Sequence, residues 1–265
     1  HSCRQRDGFL SLQFSAARIP AMCHGIWLDG ADMSMTAVDR TIRALCAEVN
    51  NSDQVLPDWQ LYSEEELLHE ACVCMFSSQM VFEVAEAAAR HIKGLGLLRA
   101  TRVENYEERL AVALSEPLTV VHGGKTRNVR PRFRNRLASL LATTVSTMRS
   151  QGQSLRGTLR SAASALEARE FLIGQVWGFG PKQASLFLRR IGYCAELAVL
   201  DTHILDYLRV ARGIDPKPGA LSRLSGYERI ESEFQRVAAE FGHPVGCVDL
   251  AMWVTMRVAK REAVW

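Results

Sequence analysis

The amino-acid sequence predicts a mostly α-helical protein. Apolar residues recur at intervals of three and four along most of the chain, the spacing that places them on one face of a helix. Ser63 and Glu66 stand in the arrangement of a capping box ahead of the apolar run Leu67–Met75, which predicts a helix start. The strand signal is confined to Leu118–Val121, where β-branched residues precede two glycines and predict one brief extended piece.

Helical patterns follow one another along the chain, separated by residues that end helices. Asn50–Asp53, Gly94–Gly96 and Pro117 end patterns in the first half, and residues 242–244 separate the last two. No sustained period is present in residues 1–35, and Asp215–Gly219 predicts a loop. The patterns span Thr36–Val49, Leu67–Met75, Val81–Ile92, Val103–Leu114, Arg136–Met148, Leu159–Ile173, Tyr227–Phe241 and Val248–Val258.

Composition excludes several classes of protein. With 265 residues, of which 48% are hydrophobic, the chain can bury a substantial core and is not a disordered chain. No apolar run reaches the roughly 18 residues of a membrane span, and the first residues lack the order of a signal peptide. The seven cysteines are scattered without tandem C-x-x-C pairs. We therefore expect reduced thiols in a cytoplasmic protein, with no metal site.

Positive charge is concentrated in one segment, although the formal net charge is only +3. Residues 125–136 contain six basic side chains and no acidic one: Lys125, Arg127, Arg130, Arg132, Arg134 and Arg136. A solvated loop followed by a helix face accounts for such a run. A surface that follows a nucleic-acid backbone is the alternative, because clustered Lys and Arg side chains neutralise phosphates.

The most informative stretch is V-W-G-F-G-P-K-Q-A at 176–184, followed by L-D-T-H-I-L at 200–205. Gly178 and Gly180 permit a tight turn whose N–H groups face outward, which suits a phosphate. Lys182 then opens a helix, and Asp201 follows nineteen residues later. An apolar pattern between them fits one packed helix and a short return, so we expect both side chains to face one cleft.

These two motifs resemble those of the helix-hairpin-helix DNA glycosylase superfamily. Within it, K-Q-A-S-L-F-L-R-R-I-G-Y at 182–193 is most similar to the matching run of the archaeal-type 8-oxoguanine DNA glycosylases. Similarity in residues 72–79, 132–138 and 249–253 extends the resemblance over roughly 65–255. It implies a two-lobed helix-hairpin-helix glycosylase fold in which 61–265 form two helical lobes with the active site between them. Residues 1–60 are then an N-terminal extension of unclear role.

The resemblance implies a catalytic pair. Lys182 would attack the sugar C1′ as an amine while the glycosidic bond breaks, forming a Schiff base that permits β-elimination. A helix N-terminus disfavours an added positive charge, which increases the fraction of neutral amine. Asp201 would stabilise developing positive charge and move protons. Taken singly, Lys182 is better explained as a solvated lysine at a helix start and Asp201 as an N-cap. Taken together with Gly178, Gly180, Ala184, Ser185 and the nineteen-residue spacing, the two residues favour the catalytic interpretation.

The resemblance also implies residues that bind DNA and the excised base. An enzyme that acts on a base within a duplex flips that base into a pocket and holds it by stacking. Each aromatic candidate is also a candidate core residue, and Gln79 is also a candidate helix cap. The predicted DNA contacts are Gly178, Gly180, Gln79, Arg132, Arg134 and Arg136, and the predicted base pocket comprises Trp177, Phe179 and Trp253.

The predicted function is that of a bifunctional DNA glycosylase/AP lyase in base excision repair, with 8-oxoguanine as the first expected substrate. Its partner would be double-stranded DNA carrying a damaged base. We expect no cofactor and no membrane partner, and no iron-sulfur cluster because only Cys247 lies where endonuclease III-like relatives carry four cysteines.

Departures from the family pattern leave other functions open. They are Pro181, Leu186, Thr202 and the C-terminal residues 256–265, which end in Trp265 where the archaeal enzymes end in lysine. A glycosylase for another modified base, in phage DNA or RNA, is one alternative. A non-catalytic DNA-binding module is the second, and a subunit that binds a protein partner is the third.

Overall fold

The computed structural model describes residues 35–50, 57–78, 80–99, 104–122, 125–217 and 219–259. Helices dominate these residues, as the sequence predicts, and the chain divides into two units. Among the described residues, one unit comprises those within 58–193, and the other joins those up to 57 with those from 194 onward. In chain order the elements are α1 Met35–Asn50, α2 Glu64–Phe76, α3 Phe82–Gly94, α4 Tyr106–Ala113, β1 Leu118–His122, β2 Lys125–Val129, α5 Arg134–Ser150, α6 Leu155–Ser161, α7 Ala165–Gln175, α8 Pro181–Arg190, α9 Thr202–Arg212, α10 Leu224–Phe241 and α11 Val245–Ala259.

Helix α2 is the central helix of the 58–193 unit. Its predicted capping box is confirmed: the Ser63 hydroxyl accepts from the Glu66 N–H at 3.2 Å, and the Glu66 carboxylate accepts from the Ser63 N–H at 2.7 Å. From Leu67 onward the helix buries most of its side chains, and it packs against α3 and α8. A cap at one end and burial on nearly every side fix the helix on which α8 rests.

A two-stranded antiparallel sheet interrupts the helices. Strand β1 confirms the predicted extended piece, with Leu118 and Val120 buried against α3. Strand β2 was not predicted: the first five residues of the basic run, Lys125–Val129, form a strand and not a loop or helix face. The register pairs Leu118 with Val129 and His122 with Lys125. The sheet therefore holds the beginning of the basic segment beside α3.

The single helix predicted at Leu159–Ile173 is wrong, because the chain forms two helices there. Helix α6 ends at Ser161 and α7 begins at Ala165. Ser164 caps α7, and its hydroxyl accepts from the Glu167 N–H at 3.2 Å. Side-chain caps give the backbone an alternative to a continuous helix, and neither glycine nor proline is needed for the break.

The other unit buries its core among α1, α9, α10 and α11. Ile42, Tyr207, Phe234 and Met252 lie in this core with no more than 1% of their surface exposed. The Tyr207 hydroxyl donates to Asp39 at 2.7 Å and so ties α9 to α1. Part of the segment to which the sequence assigned no role, residues 1–60, thus has a packing role. The predicted domain boundary at residue 60 stays a prediction.

The cysteines that the structure describes form no disulfide: they are Cys46, Cys72, Cys74, Cys194 and Cys247. Cys247 donates to the Cys46 carbonyl at 3.4 Å. A hydrogen bond with Cys247, and then burial, raise the pKa of the Cys46 thiol. Among the described helices, none combines the length and the apolar character needed to cross a membrane.

Candidate active site

A backbone turn precedes the helix that carries Lys182. The Phe179 N–H donates to the Val176 carbonyl at 3.0 Å, which closes a four-residue turn with Gly178 in its third position. Gly178 has φ +88°, and a Cβ built there would lie 3.0 Å from Cδ1 of Leu140. Both conditions select glycine. Gly180 differs, because it is the extended N-cap of α8 with φ −108°.

Lys182 is the second residue of α8. Pro181 occupies the first position, where its fixed φ suits a helix start and its missing N–H costs nothing. The Lys182 side chain is half-buried, and among the described residues no carboxylate or carbonyl pairs with its amine. Burial raises the pKa of the nearby Cys74 thiol to about 12, with Arg190 and Lys182 opposing this rise. The thiol beside the amine is therefore neutral at physiological pH.

The far end of α8 is fixed by a buried ion pair. Arg190 donates to Glu70 of α2 at 2.6 Å, and the two side chains are 8% and 14% exposed. Burial alone would raise the Glu70 pKa, but hydrogen bonds from His69 and Arg190 and their charges lower it to about 2. Helix α8 is thus anchored by the turn at its start and by this ion pair at its end.

Asp201 caps helix α9 with one of its two oxygens. Oδ1 accepts from the N–H groups of His203 at 2.9 Å and Ile204 at 3.0 Å. Within the described residues, no hydrogen bond involves Oδ2. The N-cap interpretation is correct for one oxygen, and it leaves the other oxygen available for chemistry.

Three buried side chains hold the segment just before Asp201. The Ala198 N–H donates to Glu231 at 2.9 Å, the Val199 N–H to Asp249 at 2.5 Å, and the Leu200 N–H to the Tyr227 hydroxyl at 3.0 Å. The same hydroxyl donates to the Ala198 carbonyl at 2.8 Å. Sequence reasoning missed these hydrogen bonds, because they join residues 27 to 50 positions apart. Asp249 was noted only as part of a similarity.

The arginines predicted to bind DNA lie at the start of α5. Arg132, Arg134 and Arg136 are exposed, and none of the three forms an ion pair with another described residue. Positive charge at a helix N-terminus opposes the helix dipole, so helix stability does not account for these residues. Three exposed arginines at this place suit an anion such as phosphate, and their contact with DNA stays a prediction.

Phe133 is a candidate DNA contact that sequence reasoning missed. It lies between Arg132 and Arg134, 58% of its surface is exposed, and its φ is +55°. A bulky residue in the left-handed region is strained, and strain of this kind clusters at functional sites. The signal in the sequence was an aromatic residue enclosed by arginines, a composition that suits bases and phosphates together.

The three predicted base-pocket residues have different surroundings. Trp177 is 54% exposed, as an aromatic residue at the surface is, and its backbone N–H donates to Thr144 at 3.0 Å. Phe179 is 7% exposed and packs on Phe187 with ring centroids 6.0 Å apart, as a core residue does. Half-buried Trp253 packs edge-on against the His203 ring at 6.1 Å, and the Arg257 guanidinium lies 4.9 Å from the Trp253 ring centroid.

The remaining predictions concern residues in different parts of the chain. Gln79 lies outside the described residues. Lys182 belongs to the 58–193 unit and Asp201 to the other unit. That the two side chains face one cleft stays a prediction. Among the described residues, no three His, Cys, Asp or Glu side chains are grouped so as to hold a metal ion.

A mostly helical chain with a glycine turn, a lysine at the start of the next helix and a capping aspartate has the features of a helix-hairpin-helix DNA glycosylase. The family model for 8-oxoguanine DNA glycosylase matches residues 52–243. The chain belongs to this family.

Individual relatives agree with the family match. The chain is 29% identical over 191 residues to an 8-oxoguanine DNA glycosylase/AP lyase of Methanocaldococcus jannaschii and 31% identical over 191 residues to one of Korarchaeum cryptofilum. Each alignment covers 72% of this chain and 80% of the relative. The crystal structure of the Methanocaldococcus jannaschii enzyme with a 15mer DNA containing 8-oxoguanine matches with a TM-score of 0.58 at 25% identity. This match covers 82% of this chain and 88% of that one.

Proposed function

We propose that this protein is an 8-oxoguanine DNA glycosylase/AP lyase in which Lys182 is the nucleophile and Asp201 assists with charge and protons. Membership of the family supports the activity, and two relatives are named for both the glycosylase and the AP lyase reaction. A solved relative in complex with DNA containing 8-oxoguanine supports the substrate. The assignment of the two residues is our own and depends on their surroundings within each unit.

The observation that carries the proposal is the position of Lys182 after the Gly178 turn. An amine that is paired with a carboxylate holds its proton and is not a nucleophile, whereas the Lys182 amine has no such partner among the described residues. In the reaction the amine nitrogen bonds to C1′ and the glycosidic bond breaks, so that the base leaves with the bonding electrons. Ring opening then gives a Schiff base, from which β-elimination expels the 3′ phosphate.

Asp201 supports this chemistry through its second oxygen. Oδ1 is used by the two N–H groups at the start of α9, which fixes the plane of the carboxylate. A negative Oδ2 near C1′ would stabilise the positive charge that develops as the base departs. It would also accept a proton from the attacking amine and return it later in the reaction.

DNA binding involves other residues of the 58–193 unit. The Gly178 N–H, the backbone N–H groups at the start of α8 and the arginines at the start of α5 suit phosphates. The exposed rings of Phe133 and Trp177 suit unstacked bases, because stacking on an aromatic ring needs no particular base sequence. Double-stranded DNA with a damaged base is the substrate that requires both kinds of contact.

Borohydride trapping tests the proposal, because borohydride reduces a Schiff base to a stable adduct. The duplexes would carry 8-oxoguanine, a preformed abasic site or no lesion, and the variants would be Lys182→Gln and Asp201→Asn. Lys93→Gln is the matched control, since Lys93 is another half-buried helical lysine of the same unit. We expect adducts with the native chain and with Lys93→Gln on the first two duplexes, and none with Lys182→Gln.

Other outcomes would point to other functions. Trapping at the abasic site but not at 8-oxoguanine keeps the lysine chemistry and replaces the base, and a panel of other lesions would then identify it. An adduct that survives in Lys182→Gln removes the assignment of Lys182. Binding to every duplex without an adduct favours a non-catalytic DNA-binding module.

A further inference from the structure

The segment Ala198–Leu200 is held by buried side chains. Its three consecutive backbone N–H groups do not pair with backbone carbonyl groups of the described residues. Each pairs with a different side chain, namely Glu231, Asp249 and Tyr227. These side chains are 3%, 5% and 0% exposed. Buried N–H groups need acceptors, and here all three acceptors come from distant helices.

Carboxylates are unfavourable as buried acceptors, and their use here indicates that the position of Ala198–Leu200 must be fixed closely. Burying a carboxylate is unfavourable unless it is well hydrogen-bonded, and two of the three acceptors are carboxylates. Tyr227 and Glu231 lie one turn apart on α10, and Asp249 lies on α11. Two helices thus hold the segment, and the Tyr227 hydroxyl fixes both the Leu200 N–H and the Ala198 carbonyl.

The residue that follows the segment is Asp201. Its own N–H donates to the Val199 carbonyl at 2.8 Å, so its backbone direction is set by the segment. We propose that Tyr227, Glu231 and Asp249 are positioning residues for Asp201, which orient the carboxylate during base excision. This inference rests on the proposed function, because it assumes that Asp201 takes part in the reaction.

A double-mutant cycle separates positioning from mere stabilisation. Tyr227→Phe removes one hydroxyl and both of its bonds to the segment. Tyr207→Phe is the matched control: Tyr207 is a buried tyrosine of the same unit, and its hydroxyl bonds to Asp39 on α1. The measurement is the single-turnover rate of 8-oxoguanine release under saturating enzyme. Each variant is made in the native background and in Asp201→Asn, which retains the Oδ1 cap.

For Tyr227→Phe we expect a rate loss of about tenfold in the native background, in line with the sensitivity of catalysis to small misplacements. In the Asp201→Asn background the same change should have no further effect, because the group that it positions is no longer ionised. Tyr207→Phe should leave the rate within about twofold in both backgrounds. If Tyr227→Phe does not fold, Glu231→Met replaces it, since it removes another acceptor of the segment.

The outcomes distinguish this inference from the function on which it rests. A native rate in Asp201→Asn would remove the assigned role of Asp201, and the positioning role with it. A slow Asp201→Asn together with a native rate in Tyr227→Phe would overturn the positioning role alone. So would an equal loss from Tyr227→Phe in both backgrounds, which is the behaviour of a residue that only stabilises the unit.

Discussion

Buried carboxylates in the two units of this protein hold the chain in different ways. Glu70, below α8 in the 58–193 unit, pairs with the guanidinium of Arg190 at 2.6 Å. Glu231 and Asp249, in the other unit, accept from the backbone N–H groups of Ala198 and Val199. The helix that carries Lys182 is therefore fixed through an ion pair between side chains, whereas the segment before Asp201 is fixed through its own backbone N–H groups.

This difference predicts different sensitivities. A buried ion pair responds to any loss of charge, because the partner that remains is a buried and unpaired ion. A carboxylate that accepts from an amide keeps its bond if an uncharged acceptor of the same shape replaces it. The same substitution should consequently have unequal effects in the two units.

The largest expected effect comes from Glu70→Gln, which leaves Arg190 buried without its counter-ion. We expect a loss of about 3 kcal/mol in the free energy of unfolding. Glu231→Gln is the matched substitution in the other unit, and it should cost no more than about 1 kcal/mol, since the glutamine oxygen can still accept from Ala198. Urea denaturation of both variants measures the two values, and equal losses would contradict the comparison.

The Glu70 contribution should also depend on pH. Its pKa is lowered from 4.5 to about 2 in the folded chain, so its stabilisation is complete above about pH 4.5. It is lost as the pH falls from about 4.5 towards 2. The difference between the native chain and Glu70→Gln should therefore shrink over this range. A difference that stays constant down to pH 2.5 would contradict the low pKa.

A smaller effect should separate the two glycines of the turn. Gly178→Ala places a side chain at φ +88° and close to Leu140, and we expect it to cost about 2 kcal/mol. Gly180→Ala should cost less than about 1 kcal/mol, because Gly180 is an extended N-cap whose Cβ would meet only Gln183 at 3.6 Å. Thermal unfolding of both variants tests whether the turn before Lys182 requires glycine at one position or at two.

The smallest effect concerns DNA binding by single arginines. Arg134→Gln should weaken binding a few-fold for all sequences and lower the salt dependence, d log K/d log[salt], by about 1, because one phosphate contact is lost. Arg236→Gln is the control, since Arg236 is an exposed arginine of the other unit that pairs with Glu233. Fluorescence anisotropy at several salt concentrations measures both. An unchanged slope in Arg134→Gln would remove this arginine from the DNA interface.

Helix positions could be read from the sequence because local pattern determines them. The pattern Val81–Ile92 corresponds to helix Phe82–Gly94, and the motif around Lys182 predicted both its turn and its helix start. Strand β2 could not be predicted, because its lysine, arginine, threonine and asparagine residues lack the apolar alternation of a strand. Pairing with β1 and the packing of β1 on α3 form it instead.

The candidate site was predictable only where its residues are neighbours in the chain. Asp201 was expected as an N-cap, and it is one. The partners that hold the preceding segment were out of reach, since no local pattern links Leu200 to Tyr227 or Val199 to Asp249. The exposure of Trp177 and the burial of Phe179 also depend on tertiary packing, and from the sequence both were predicted alike as base-pocket residues.

The division of labour between the two oxygens of Asp201 affects how related chains should be interpreted. Asparagine, serine and threonine all cap helices, so any of them at this position would satisfy the N–H groups of His203 and Ile204. None of them carries the negative charge. Natural selection could therefore convert such an enzyme into an inactive lesion-binding protein by one substitution that leaves its fold intact, and position 201 is where genome surveys should look for such pseudoenzymes.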